Sequence, residues 1–463
     1  MIIEQIYTNC LAQGAYFIES NGEVAIIDPL REIDSYIKKA DALNAKIKYI
    51  FETHFHADFV SGHITLSEKT GAHIVYGPMA NPTYDVIIAE DRQEFKVGNI
   101  TIVALHTPGH TMESTTYLLK DENGKDHCIF SGDTLFLGDV GRPDLAQKSV
   151  NITQEELAGI LYESLRNTIM PLADDVIVYP AHGAGSACGK NMMTETVDTL
   201  GNQKRMNYAL RSDMTKAEFV EEVTDGLSAP PAYFPMNVMM NKSGYTNIDE
   251  IITKGDSPLS PSDFENIANE NQAVIIDVRH EKDFIQGHIP QSIFIGIDGS
   301  FAPWVGAIIR DVNQPILIVG EEDRIHEVIT RLGRVGFDNT MGYLKGGIEA
   351  WEKEGKEIDA IRSIPTEQFE KEYKTNQNSV FDVRKKGEWD SNHLQNAHHV
   401  CLSVINEELG QFPKEDNFYV HCAGGYRSVI ASSILKKRGY HNLINIDEGF
   451  DAIQHTSLDF VTQ

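Results

Sequence analysis

The sequence predicts a multidomain α/β protein, and three observations predict it. At 463 residues the chain is too long for one ordinary core, which argues for roughly two to four domains. Its first half alternates short apolar runs with helical patterns. Its second half repeats itself.

In the first half, "VAIIDP" ends at Pro29, "IKYIFETH" at His54, "ITIVALHTPGH" at His110, "HCIFSGD" at Asp133 and "DVIVYPAH" at His182. Each run holds β-branched or aliphatic residues and finishes in polar ones, as strands do when they deliver side chains to one sheet edge. Between them lie helices. Thr153 and Glu156 make a capping box, and Leu157, Ile160, Leu161 and Leu165 form the apolar stripe that follows. The three prolines of "GLSAPPAYFP" (226 to 235) interrupt regular structure. This α/β domain is expected to span residues 1–245.

The repeat covers the rest. "AVIIDVRHEKDFIQGHI" is answered by "SVFDVRKKGEWDSNHL", so Asp277, Arg279 and His288 correspond to Asp382, Arg384 and His393. "PILIVGEEDRIHEVITRLGRVGF" matches "NFYVHCAGGYRSVIASSILKKRGY", and "LKGGIEAW" matches "IDEGFDAI". Matches in one order imply duplication. Two α/β modules are expected, at 255–355 and 360–463.

Apolar content of 41% and a charged fraction of 23% fit a globular chain. The formal charge of −28 argues against nucleic acid or anionic lipid as partner. The opening "MIIEQIYTNC" has no basic segment followed by an apolar core, and no apolar run approaches a membrane span. Five scattered cysteines are no disulfide framework, so a reducing cytoplasm is the expected location.

"THFHAD", "HTPGH", "SGD" and "YPAH" place His54, His56, Asp58, His110, Asp133 and His182 at strand ends. Six ligand-type residues in ordered strand-end motifs point to a metal site. Their order resembles the metallo-β-lactamase fold, an αββα sandwich with the metal held by strand-end loops. In its dinuclear members the positions of His54, His56 and His110 hold one ion. Those of Asp58, the next residue and His182 hold another, and that of Asp133 bridges. Here the next residue is Phe59, which has no lone pair to give. Either a second zinc is held weakly, or the site takes one metal.

Two histidines and one carboxylate leave open coordination positions, as in non-haem Fe(II) oxygenases. Resemblance to the persulfide dioxygenase branch implies one Fe(2+) per chain on His54, His110 and Asp133. His56, Asp58 and His182 then orient ligands, water or substrate, or serve as alternative ligands. Spacing alone does not choose iron over zinc.

"YVHCAGGYRSVI" carries Cys422 at a strand end, followed by Ala423, Gly424, Gly425, Tyr426 and Arg427 opening into a helix. Such a loop points backbone N–H groups at the sulfur, and the helix N-terminus and Arg427 add positive potential. The frame resembles rhodanese, whose cysteine accepts and donates sulfane sulfur. Asp382, Arg384 and His393 read first as structural ties. The earlier copy has "VGEEDR": Val319 replaces the cysteine, and Glu321, Glu322 and Asp323 repel anions. That module is expected to be a spacer, a docking surface or an oligomer contact.

Cys188 lies in "AHGAGSACGK", where Lys190 could favour a thiolate. Cys10, Cys128 and Cys401 read as packing residues. The domain order, with "HADF" and "HGAGS-CGK", resembles the bacterial CstB-type persulfide dioxygenase–sulfurtransferase fusions along essentially the entire chain. That resemblance implies sulfur chemistry at both Cys188 and Cys422, and an Arg142 that helps hold an anionic thiol substrate. It implies Fe(II)-dependent oxidation of low-molecular-weight persulfides to sulfite, and sulfane-sulfur transfer giving thiosulfate. Expected partners are a small thiol persulfide, dioxygen, sulfite and further copies of the chain in a homo-oligomer. Two alternatives stay open, a zinc-dependent glyoxalase II-like thioester hydrolase and a non-oxidative sulfur carrier.

Overall fold

The computed structural model describes residues 1–145, 151–227 and 229–462. The chain divides into two compact units, Met1–Ile248 with the short stretch Gly333–Gly336, and the remainder.

Among the described residues, the first unit holds two six-stranded sheets. One runs β1 (Ile2–Thr8), β2 (Gln13–Ser20), β3 (Glu23–Ile27), β4 (Lys46–Phe51), β5 (His73–Tyr76), β6 (Ile87–Ile88) in spatial order. The other comprises β7 (Glu94–Val97), β8 (Ile100–His106), β9 (Thr115–Lys120), β10 (Asp126–Gly132), β11 (Ile177–Pro180) and β12 (Asp198–Thr199), also neighbours in sequence order.

Strand periodicity explains the layering. On β2, Tyr16 and Ile18 point one way and Ala15 and Phe17 the other. Tyr16 and Ile18 join Phe51, Ile102, Tyr117 and Phe130 in a core between the sheets. Ala15 and Phe17 pack with Ile33, Tyr36 and Leu66 from the helical side of the first sheet. Val103, Leu118 and Ile129 pack on the other sheet's outer face against Leu161 and Leu165. The result is a helix–sheet–sheet–helix sandwich. The capping box at Thr153 forms as expected, with Glu156 N–H donating to Thr153 Oγ1 at 3.2 Å and Thr153 N–H donating to Glu156 Oε2 at 2.9 Å.

In the second unit each module is a five-stranded sheet. The first orders β13 (Pro258–Leu259), β17 (Thr340–Leu344), β16 (Ile316–Val319), β14 (Val274–Asp277), β15 (Ile293–Phe294), all parallel. The second orders β18 (Ser363–Ile364), β23 (Leu443–Ile446), β22 (Phe418–His421), β19 (Val380–Asp382), β21 (His398–His399), again parallel. A separate hairpin-like pair joins β20 (Asn392–Leu394) to β24 (Phe460–Thr462). The topologies superpose strand for strand, which is the duplication written in three dimensions.

The repeated residues are structural ties. Arg279 Nη2 donates to Asp277 at 2.7 Å and to the Gly287 carbonyl at 2.8 Å, and Arg384 Nη2 donates to the Asn392 carbonyl at 2.8 Å while its Nε meets Asp382 at 2.8 Å. His288 Nδ1 lies 2.8 Å from the Phe284 carbonyl, and His393 Nδ1 lies 2.8 Å from that of Trp389. No described helix is long and apolar enough to cross a membrane.

Candidate metal centre and sulfur-transfer loop

The metal residues converge because β4, β8 and β10 all end at one edge of the sandwich. His54, His110 and Asp133 are each almost fully buried, and they offer one ligand atom apiece within 4.8 Å of one another. Asp133 Oδ2 stands 3.5 Å from His110 Nε2 and 3.9 Å from His54 Nε2. Ligands bonded at about 2.0–2.2 Å to a common cation lie at comparable separations. His110 Nδ1 faces the Arg142 carbonyl at 2.8 Å, which fixes its proton there and frees Nε2 as a lone pair. Asp133 Oδ2 is buried with no hydrogen-bond partner. An orphaned carboxylate oxygen flanked by two imidazole nitrogens fits a cation, because a buried charge needs a compensating one. Burial pushes the Asp133 carboxyl up, but His182, His54 and His110 outweigh it and hold it well below the usual carboxylate range.

His182 links the triad to its surroundings. Its Nδ1 lies 2.8 Å from Asp133 Oδ1 and its Nε2 lies 2.8 Å from Asp58 Oδ2. It therefore holds Asp133 from behind, with Asp58 on its far nitrogen. The structure adds a third donor the spacing argument did not foresee. Cys188 Sγ lies within 4.8 Å of ligand atoms on both Asp58 and His182, and all three residues are buried.

His56 turns elsewhere. Its Nε2 sits 3.0 Å from Asp28 Oδ1 and 3.7 Å from Glu52 Oε2, in a buried cluster with Asp28 and Glu52. Asp28 also accepts from Thr53 N–H and Oγ1, both at 2.8 Å, and so ties the metal loop to the end of β3. Phe59 is wholly buried with its ring 4.4 Å from that of His56. Asn241, from the helix Phe234–Ser243, donates to the carbonyls of His56 and Phe59, both at 2.8 Å. Asp28, Glu52 and Asn241 carry no motif signal. Fold contacts between distant residues bring them in.

Two expectations are corrected. Lys190 does not serve Cys188: its Nζ donates to the carbonyls of Glu222 and Asp225, at 2.5 and 3.0 Å. Burial pushes the Cys188 thiol well up, and the nearby Asp133 and Asp58 carboxylates push the same way. Arg142 does not present an uncommitted cation: its guanidinium grips Asp144 through two bonds of 2.7 Å and donates to the Ala187 carbonyl at 3.2 Å. Its demonstrable contribution is the carbonyl that orients His110. His56 offers its Nε2 to Asp28 and Glu52, just past β3 and β4, while its ring packs 4.2 Å from that of His54.

In the second unit, Cys422 follows β22 and is buried. Gly425 N–H donates to its Sγ at 3.2 Å. Gly425 has φ +105°, and a Cβ there would lie 2.5 Å from the Asp447 carbonyl oxygen, so only glycine closes this loop. Phe450 and Asp451 N–H groups tether the carbonyls of Cys422 and Ala423 at 2.7 and 3.0 Å. The helix Tyr426–Lys437 starts at once, aiming its N-terminus at the sulfur. Arg427 is paired with Glu388 through bonds of 2.6 and 2.8 Å, so part of its charge is already balanced. Glu388 carries no motif signal; it also accepts from the Lys385 N–H at 3.1 Å, three residues before it, as a backbone cap. Ala423 and Gly424 line the open side of the loop.

A metallo-beta-lactamase superfamily model matches residues 9–182, and a rhodanese-like domain model matches 260–354 and 365–456. The persulfide dioxygenase of Mus musculus is 28% identical over 212 residues, covering 45% of this chain and 73% of that protein. The cytoplasmic hydroxyacylglutathione hydrolase of Arabidopsis thaliana is 31% identical over 166 residues, covering 35% of this chain and 60% of that protein. A crystal structure titled metallo-beta-lactamase, from Staphylococcus aureus, matches with TM-score 0.65 at 30% identity, over 74% of this chain and 98% of that one. The chain therefore belongs to the metallo-β-lactamase superfamily in its first unit and to the rhodanese-like family, twice over, in its second, which is the order of a persulfide dioxygenase–rhodanese fusion.

Proposed function

We propose that the chain oxidises low-molecular-weight persulfides to sulfite in its first unit, with Fe(II), and transfers sulfane sulfur in its second to give thiosulfate. The observation that carries this reading is the donor set: two imidazole Nε2 atoms and one orphaned carboxylate oxygen, with a phenyl ring where a further imidazole would recruit a neighbouring ion. A ferrous ion on His54, His110 and Asp133 supplies the redox centre that relieves the spin barrier between dioxygen and a sulfur anion.

The chain's own residues do the rest. The Arg142 carbonyl and His182 hold His110 and Asp133 in one orientation. Burial of the triad excludes bulk water from the reacting sulfur. The terminal sulfur of R–SSH takes both atoms of dioxygen and one oxygen from water, leaving as sulfite while R–SH is released. In the second unit the Cys422 thiolate attacks a further R–SSH, forming Cys422–SSH and expelling R–S⁻. Sulfite then attacks the outer sulfur, thiosulfate leaves, and the thiolate is restored. Gly425 N–H and the helix N-terminus stabilise the anion at each stage. Sulfide detoxification in the cytoplasm is the purpose this chemistry suits.

One observation favours a second reading. Asp58, His182 and Cys188 form a donor set of their own, which a thiophilic ion such as zinc could use. Two zinc ions would suit a thioester hydrolase, the activity named for the Arabidopsis relative. The test compares variants with a persulfide substrate. His110→Ala should abolish oxygen uptake, whereas Cys422→Ser should leave sulfite forming and thiosulfate absent. Thioester cleavage without oxygen uptake would reject the oxidative reading.

A further inference from the structure

The loop that holds Cys422 is closed on one side by its own module, but Tyr426 leaves that module. Its Oη donates to the Gly296 carbonyl, in the cysteine-less module, at 2.6 Å. Its ring meets Phe294 edge-on, with centroids 5.6 Å apart. The slot it enters is made by missing side chains. A Cβ at Gly299 would stand 2.4 Å from Tyr426 Cζ, and one at Gly296 would stand 3.1 Å from Cε2. Neither glycine has a left-handed φ, so space rather than backbone conformation requires them.

The same module grips the helix along its length. Phe294 N–H donates to Ser433 Oγ at 3.1 Å, and Lys437 Nζ donates to the Gln291 carbonyl at 2.8 Å. Tyr426 is the first residue of that helix, and the N–H immediately before it, on Gly425, is the one that faces Cys422 Sγ. A displacement of the tyrosine is thus passed directly to the group that stabilises the sulfur anion.

We propose that Tyr426 is a positioning residue for sulfur transfer and that the cysteine-less module is its seat, the Gly296 carbonyl and the clearance at Gly299 fixing the first helical turn so that the Gly425 N–H stays on the sulfur. The degenerate copy is then part of the active loop's support rather than a spacer. This rests on the reading that Cys422 carries sulfane sulfur.

The test uses the full chain loaded with iron. Tyr426→Phe removes one hydrogen bond and keeps the ring, Gly299→Ala fills the slot, and Cys422→Ser is the control. Thiocyanate formation from thiosulfate and cyanide gives kcat and KM, and mass spectrometry of the Cys422 peptide gives its rate of alkylation by iodoacetamide. Gly299→Ala is expected to lower kcat by about tenfold or more, with KM for thiosulfate little changed and Cys422 alkylation slowed in parallel. Tyr426→Phe is expected to act the same way by about fivefold, the worth of one hydrogen bond. Unchanged kcat and alkylation in both variants, with only the thermal midpoint lowered, would overturn the proposal and leave Tyr426 as structural glue. Retention of thiocyanate formation by Cys422→Ser would instead overturn the sulfur-carrier reading on which the proposal stands.

Discussion

Asp133 carries the argument for the metal centre, because one of its oxygens is held by His182 and the other, with no hydrogen-bond partner, faces the imidazoles of His110 and His54. Asp133→Asn keeps the shape and removes the charge, and should lower metal retention by one or more orders of magnitude, read by metal analysis after dialysis. Phe59→His should act in the other direction, raising bound metal toward two ions per chain, since it restores a donor beside Asp58 and His182. Much of this site could be read in the sequence. His54, His110, Asp133 and Cys422 each terminate an apolar run, and strand ends are where sheets deliver chemistry. What could not be read was the direction of long side chains. Lys190 sits two positions from Cys188 yet its ammonium caps carbonyls at the end of the helix Lys216–Thr224, and Arg142 turns to Asp144. Proximity in sequence does not fix the aim of a side chain with four rotatable bonds.

The Cys422 loop depends on backbone more than on charge. Gly425→Ala must place a Cβ against the Asp447 carbonyl at positive φ, so it should cost about 1–3 kcal/mol of stability and abolish thiocyanate formation, measured by urea unfolding beside the transfer assay. His288 gives a pH signature. Burial holds His288 down at about 4, with its ring stacked 3.9 Å from Phe284. Since its ordinary value is about 6.5, the folded state binds fewer protons than the unfolded one in this window. Its stabilising contribution is complete above pH 6.5 and is lost as pH falls toward 4, by up to about 1.4 kcal/mol per pH unit. His288→Gln should make that loss shallower. Tryptophan fluorescence reports it cleanly, because Trp304, Trp351 and Trp389 all lie in the second unit. The duplication that pairs His288 with His393 was legible from the repeated Asp–Arg–His spacing. The seat of Tyr426 was not, because Gly296 and Gly299 read as ordinary turn glycines until the phenol that needs their space is brought in from 130 positions away.

On the proposed function, one chain joins a persulfide-oxidising centre to a sulfur carrier, with a kinetic consequence for the protein entire. Sulfite formed by one unit has an acceptor on the same chain, so thiosulfate should appear without a lag. An equimolar mixture of His110→Ala and Cys422→Ser proteins should show a lag that lengthens on dilution, followed by coloured complexation of thiosulfate or by chromatography. The most direct measurement is metal content under anaerobic conditions, combined with oxygen consumption on addition of a persulfide. About one iron per chain, with oxygen consumed as sulfite forms, is the predicted result. About two zinc per chain, with Cys188 among their ligands and no oxygen consumed, would contradict it.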